Sequence, residues 1–274
     1  MTRQILKKLI RIIINTMIII IFFVPFYWMI LTAIKTVQET IQFPPSFWVS
    51  NPQWENFVTA LKAIPFMRYT VNSIIVSISV MVLQFLTVIP AAYAFARLKF
   101  KGKSFLFGTI LATMMVPSQL VFLPIYLMFS KWGLINNYLS LILPFATSAF
   151  GIFMMRQSFM QVPEETLEAA KLDKASEFKI ITKIMLPAAK PTIYMLALFS
   201  FISTWNDYFW PLIITTNDKV RTLPIGISSL RMVEGGITYH IVMAGNLLLI
   251  IPIVIAFFIA QKQIIRAFTY TGEK

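Results

Sequence analysis

Six stretches of this chain run for more than twenty residues with at most one charged side chain. They are Ile12–Ile34, Tyr69–Ala96, Ser104–Ser130, Trp132–Met155, Pro191–Asn217 and Gly235–Gln261, interrupted only by Asp207. A hydrocarbon core about 30 Å thick takes about 20 apolar residues to cross as a helix. Lipid offers the backbone no hydrogen bonds, so the alternatives are helices and closed barrels. Barrel strands alternate in polarity over about ten residues, and these runs are continuously apolar. The expected fold is therefore all-α, with spans near 12–34, 70–96, 104–130, 137–155, 191–216 and 238–261. Charged residues make up 13% of the chain, about half the usual share of a soluble domain. A water-soluble globule and a disordered chain are both excluded.

The basic residues set the orientation. The N-terminus, loop 2–3, loop 4–5 and the C-terminus together hold 17 of the 24 Lys and Arg. Cytoplasmic loops collect such residues, so both termini are expected in the cytoplasm. The same rule accounts for the net charge of +13 without nucleic acid. Arg97, Lys99, Lys101 and Lys103 in the short loop 2–3 serve topology first and anionic lipid second. The first apolar run is too long for a signal-peptide core and lacks a small-residue cleavage site. It is expected to remain as a span.

Prolines fall in every span: Pro25, Pro90, Pro117 with Pro124, Pro144, Pro211 and Pro252. Each removes a backbone donor and can kink its helix. Loop 1–2 is long, carries the turn signals Phe43-Pro44-Pro45 and Asn51-Pro52, and should form one short amphipathic helix over 54–62. No internal repeat is evident, so the chain is expected to be one domain over 1–274.

Catalytic chemistry finds little support. There is no Cys and a single His, which leaves no zinc site of ordinary composition. Lys101-Gly102-Lys103-Ser104 lacks the earlier glycine that a phosphate loop needs. With His240 at the outer edge of the last span, Asp207, in Thr204-Trp205-Asn206-Asp207-Tyr208, is the one plausible ion-coupling group inside a span. A carboxylate there must face water, a donor or the bundle interior. Trp205, Asn206 and Tyr208 would add a stacking surface, an amide and a hydroxyl, as in a polar path. The alternative is a structural hydrogen-bond cluster. One acid without a basic partner is a thin basis for an ion relay, so the energy for any transport must come from elsewhere.

The segment 156–190 carries most of the functional signal. Pro163 suits a helix start, with Glu164 and Glu165 at its positive end. Ser176 suits the cap of a second helix, with Phe178, Ile181 and Met185 on one face and Pro187 as its stop. Glu168-Ala169-Ala170 and Ile184-Met185-Leu186-Pro187 stand at a spacing that resembles the EAA loop of ABC importer permeases. Asp173, Ala175 and Ser176 fit the same pattern. Lys174 replaces the family glycine, and a side chain costs about 1 kcal/mol at φ > 0, so a reshaped turn is expected there. Phe43-Pro44-Pro45, Asn56-Phe57, Asn72-Ser73, Ala91 to Arg97, Trp205-Asn206-Asp207 and the tail 261–274 are similar to the carbohydrate branch, and to the second permease of maltose-type systems.

The resemblance implies a non-catalytic permease subunit in the bacterial plasma membrane, part of an ATP-driven, binding-protein-dependent sugar importer. It implies a second permease, a pair of cytoplasmic ATP-binding subunits holding ATP and Mg, an extracytoplasmic solute-binding protein, a sugar and membrane lipid as partners. It assigns no cofactor or metal to this chain. Glu168, Ala169, Ala170, Asp173, Lys174, Ile184 and Pro187 would couple to the ATPase through a cytoplasmic helix-turn-helix. Trp205, Asn206, Asp207 and Tyr208 would line the path. An amino-acid or peptide importer, an ion-driven transporter and a membrane anchor are the alternatives.

Overall fold

A computed structural model describes residues 2–233 and 236–269. Apart from the antiparallel pair β1 (Met232–Val233) and β2 (Gly236–Ile237), its regular structure is helical. Three helices are long and apolar enough to cross a membrane unaided: α1 (Thr2–Ala33), α4 (Phe66–Arg97) and α15 (Tyr239–Thr269). Three more crossings exist only if a bent helix pair counts as one span.

The bends follow from the sequence. The expected span 104–130 is split into α5 (Lys103–Thr113) and α6 (Ser118–Lys131), which meet at 95°. Pro117 supplies no amide hydrogen to continue α5 and stands as the residue before α6. The expected span 137–155 is α7 (Tyr138–Ile142), a 3₁₀ turn holding Pro144, then α8 (Ala149–Met160), bent by 44°. Between them Ser148 caps α8 by accepting from Gly151 N–H at 3.0 Å. The third bent pair is the stretch Glu177–Ala188 with α12 (Lys190–Trp205), at 83°, whereas the expected span 191–216 divides into α12 and α13 (Phe209–Ile214), separated at 206–208. At 1.5 Å per residue α12 reaches only about 24 Å. Pro25, Pro90, Pro124 and Pro252 lie inside helices that continue through them.

By its contacts the chain divides into two compact units: Met1–Met67 with Gly226–Ile251, and Arg68–Ile225 with Pro252–Lys274. In the first, α2 (Val37–Ile41) and α3 (Glu55–Ala63) order the long loop 1–2. Asn56 donates to the carbonyls of Ala33 and Lys35, both at 2.9 Å, and so satisfies orphan acceptors past the end of α1. Lys35 is 1% exposed; its ammonium donates to Ser46 O at 2.6 Å and lies 4.8 Å from the Trp28 ring centroid. Thr36 and Glu39 form a capping box for α2.

In the second unit α4 supports two cores. Val76 and Val80 pack with Phe129, Leu141, Trp210 and Ile214. Toward its C-terminal end, Val88, Ala92 and Tyr93 pack with Met155, Phe159, Leu167, Ile180 and Met185. Asn72 ties 217–225 to α4: its amide donates to Lys219 O and Arg221 O, and its oxygen accepts from Tyr138. Ser73 accepts from Leu223 N–H, at the start of α14 (Leu223–Ser229), at 2.8 Å.

Candidate functional site

The segment 156–190 holds two helices at a tight turn. α9 (Glu164–Leu172) ends at Asp173, and Lys174 follows with φ +56°. Lys174 N–H donates to Lys171 O at 2.9 Å, and Ala175 N–H reaches Ala170 O at 3.0 Å. This bond pair with a left-handed residue after the cap is a Schellman turn. The side chain at position 174 leaves that turn intact, at a backbone cost of about 1 kcal/mol. Ser176 then caps α10 (Glu177–Ile180) by accepting from Lys179 N–H.

A π-helical turn, Ile181–Met185, continues α10. Its i→i+5 spacing brings residues five apart onto one face. Ile180 and Met185, five apart, are both buried. This corrects the expected face of Phe178, Ile181 and Met185: Phe178 points outward, 76% exposed, and only half-buried Ile181 and buried Met185 turn inward. Leu172 is likewise 84% exposed. Glu168, Ala169, Asp173, Lys174 and Pro187 are exposed, whereas Ala170 and Ile184 are half-buried against the core. Pro187 lies in α11 (Leu186–Ala188), and the chain turns by 83° into α12.

The C-terminal end of α4 holds both helices by their first-turn acids. Tyr93 OH donates to Glu177, and Arg97 Nη1 donates to Glu164 at 2.9 Å. Arg97 Nη2 also donates to the carbonyls of Phe159, at 2.7 Å, and Val162. Arg156 Nε donates back to Phe95 O at 2.9 Å. The sequence gave Arg97 a topological role and otherwise pointed to Ala91–Arg97 only as a resemblance; it did not foresee these bonds.

A second feature lies where the helices break. A cavity of about 320 Å³ is lined by Gln84 of α4, by Ser118 and Gln119 after the first break, by Phe145 before the second, and by Thr204, Asp207 and Phe209 around the third. A second cavity of about 450 Å³ shares Gln84 and Ser203 with it and includes Ser148 and Ser200. Gln84 donates to Phe145 O at 3.0 Å and Thr87 to Ala146 O at 2.9 Å, so α4 satisfies carbonyls released by the bend. Ser200 is 4% exposed, and its hydroxyl has no protein partner. Irregular backbone at membrane depth is tolerated where it lines a cavity or is covered by protein.

The four residues of the Trp205–Tyr208 cluster separate. Asp207 lines the first cavity and accepts from Trp210 N–H at 3.3 Å. Trp205 is fully buried and stacked on Phe201 at 5.5 Å. Asn206 closes its own helix by donating to Ile202 O at 3.1 Å, and Tyr208 is exposed outside the cavity lining. Gln84, Ser118, Gln119 and Ser203 escaped the sequence reading, which weighed only Asp207 and its immediate neighbours inside the spans. A buried amide in the apolar run of α4 was the available signal.

Comparison with known proteins agrees over most of the length. The chain is 35% identical over 203 residues to an arabinooligosaccharides transport system permease protein of Halalkalibacterium halodurans, covering 74% of this chain and 72% of that one. It is 31% identical over 273 residues to a trehalose/maltose transport system permease protein of Thermococcus litoralis, covering 98% of each. It superposes with a TM-score of 0.77 and 25% identity on a chain of a crystallised bacterial ABC transporter involved in the import of the acidic polysaccharide alginate, covering 92% of this chain and 96% of that one. Residues 86–270 match the family described as the binding-protein-dependent transport system inner membrane component. With two thirds of its length inside that match, the chain belongs to this family of inner-membrane permeases.

Proposed function

We propose that the chain is one permease of an ATP-driven importer, pairing with a second permease to form the pathway for a sugar or an oligosaccharide. The loop 156–190 seats on a cytoplasmic ATP-binding subunit, one of a pair that holds ATP and Mg, and an extracytoplasmic binding protein delivers the sugar. Both termini lie in the cytoplasm, and residues 1–274 act as a single permease domain. The chain itself performs no catalysis and carries no cofactor. The names of its relatives support the sugar; the basic loops support the topology.

One observation carries the coupling role: Leu172 and Phe178, on either side of the Schellman turn, expose 84% and 76% of their surface beside the small, exposed Ala169. Large apolar side chains presented together outside an apolar run mark an interaction surface. Glu168, Asp173, Lys174 and Pro187 are exposed in the same segment, while Ala170 and Ile184 are half-buried against the core. Asp207 is the member of the Trp205–Tyr208 cluster placed to meet a passing solute.

The test is Ala169→Asp in the co-expressed complex. The variant inserts normally, loses the ATPase on purification and transports little. Normal uptake with the ATPase retained would refute docking through this face. The chain has no Cys, so Lys101→Cys, exposed in loop 2–3 and away from the docking face, also tests topology: it reacts with an impermeant thiol reagent only from the cytoplasmic side.

A further inference from the structure

Polar groups line both cavities at the helix breaks, but their charge is one-sided. The first presents two amides, Gln84 and Gln119, the hydroxyls of Ser118, Ser203 and Thr204, and the carboxyl group of Asp207. The second adds the hydroxyls of Ser148 and Ser200, that of Ser200 unpartnered within the protein. Among the described residues, no Lys, Arg or His lines either cavity. The walls between the polar groups are Val121, Phe122, Ile125, Phe145 and Phe209 on one side and Phe150, Leu196 and Phe199 on the other.

Amides and hydroxyls with apolar ring faces between them match a sugar ring, which offers hydroxyls at its edge and C–H groups on its faces. Among the described lining residues no cation offsets a carboxylate or a phosphate. An anion entering would lose its hydration without gaining a cation, and would meet Asp207 across a wall that screens little. Discrimination built on an unfavourable charge against the wrong solute needs no additional contact to the right one.

We infer that this chain supplies a charge filter to the permeation path: its cavity admits uncharged polyhydroxylated rings and turns away uronates and sugar phosphates, with Asp207 as the discriminating group. The inference rests on the proposed reading of the cavity as part of that path.

The experiment uses the purified complex with its partner permease and ATPase in lipid nanodiscs, without the binding protein, so that delivery does not set the preference. The probes are maltotriose and trigalacturonate, equal in ring number and different in charge. Wild type binds maltotriose at least tenfold more tightly than trigalacturonate. Asp207→Asn, close to isosteric, narrows that gap to within threefold. Gln119→Lys, at an exposed position on the same wall, narrows it independently by adding a cation. A gap that both variants leave unchanged, or equal binding of the probes by wild type, overturns the filter. Ser203→Trp plugs the cavity and separates the two failures. Maltotriose binding that survives the plug, or is absent from wild type, sinks the path reading and the filter with it. Binding lost to the plug with an unaltered gap in both charge variants sinks the filter alone.

Discussion

Arg97 and Glu164 are 67 positions apart, yet the guanidinium of one meets the carboxylate of the other at 2.9 Å. The acid is 67% exposed and the base 11%. An exposed pair of this kind is worth about 0–1 kcal/mol. The buried end is different, because Arg97 also donates to the carbonyls of Phe159 and Val162. Hydrogen bonds from a charged donor contribute roughly 1.5–3 kcal/mol each. Arg97→Ala is therefore expected to cost about 3 kcal/mol or more, and Glu164→Ala under about 1 kcal/mol. Thermal unfolding of the purified complex ranks the two, and equal losses would contradict this division.

Lys174 gives a prediction of opposite sign. Its φ of +56° is the conformation glycine adopts freely. Lys174→Gly relieves the side-chain penalty, offset in part by the greater freedom of glycine in the unfolded chain, for a net gain of up to about 1 kcal/mol. Lys174→Val loses at least about 1 kcal/mol, since β-branched residues tolerate φ > 0 poorly. Denaturant midpoints compare the three.

Gly151 marks the close approach of α8 and α12. A Cβ there would come within 2.9 Å of Leu196 Cδ1 and 3.2 Å of Ser148 Cβ. The leucine tip can rotate away, so Gly151→Ala is expected to cost about 1 kcal/mol or less. Gly151→Leu overfills the contact and costs about 1–3 kcal/mol. The measurement is retention of native complex after a brief heat step.

Asn72 is 2% exposed and uses its amide hydrogens on two carbonyls. Asn72→Asp places an acceptor against both carbonyls and is expected to destabilise more than Asn72→Ala, which loses about 1–3 kcal/mol. Limited proteolysis between 217 and 225 reports it, with faster cleavage in the Asp variant. Indistinguishable rates would show that Asn72 is not the latch on that segment.

How much of this was legible beforehand differs by element. Runs such as Ile12–Ile34 announce helices because lipid permits few other backbones, and α1, α4 and α15 overlap the expected spans, α1 starting ten residues early and α15 ending eight residues late. Ser176 as a cap was equally plain, since capping depends on neighbours in sequence. The breaks were not located. Prolines at 25, 90, 117, 144, 211 and 252 look alike as sequence, but α4 continues through Pro90 while the chain breaks at Pro117. At Pro144 the carbonyls past the bend are met from another helix, Gln84 and Thr87 donating to Phe145 O and Ala146 O, and partners some sixty positions away are not visible in the local sequence. The outward Phe178 was misplaced because an α period was assumed where a π turn intervenes.

That wide turn at Ile181–Met185 has a consequence for how the chain tolerates changes in length. It holds one surplus residue relative to α geometry. Deleting a single residue inside it would let the backbone relax to ordinary α winding, with the inner faces before and after it still aligned. The same deletion in α9 would swing everything beyond it by about 100°. The two sites thus respond oppositely to the same lesion: one is a slack joint and the other a fixed one.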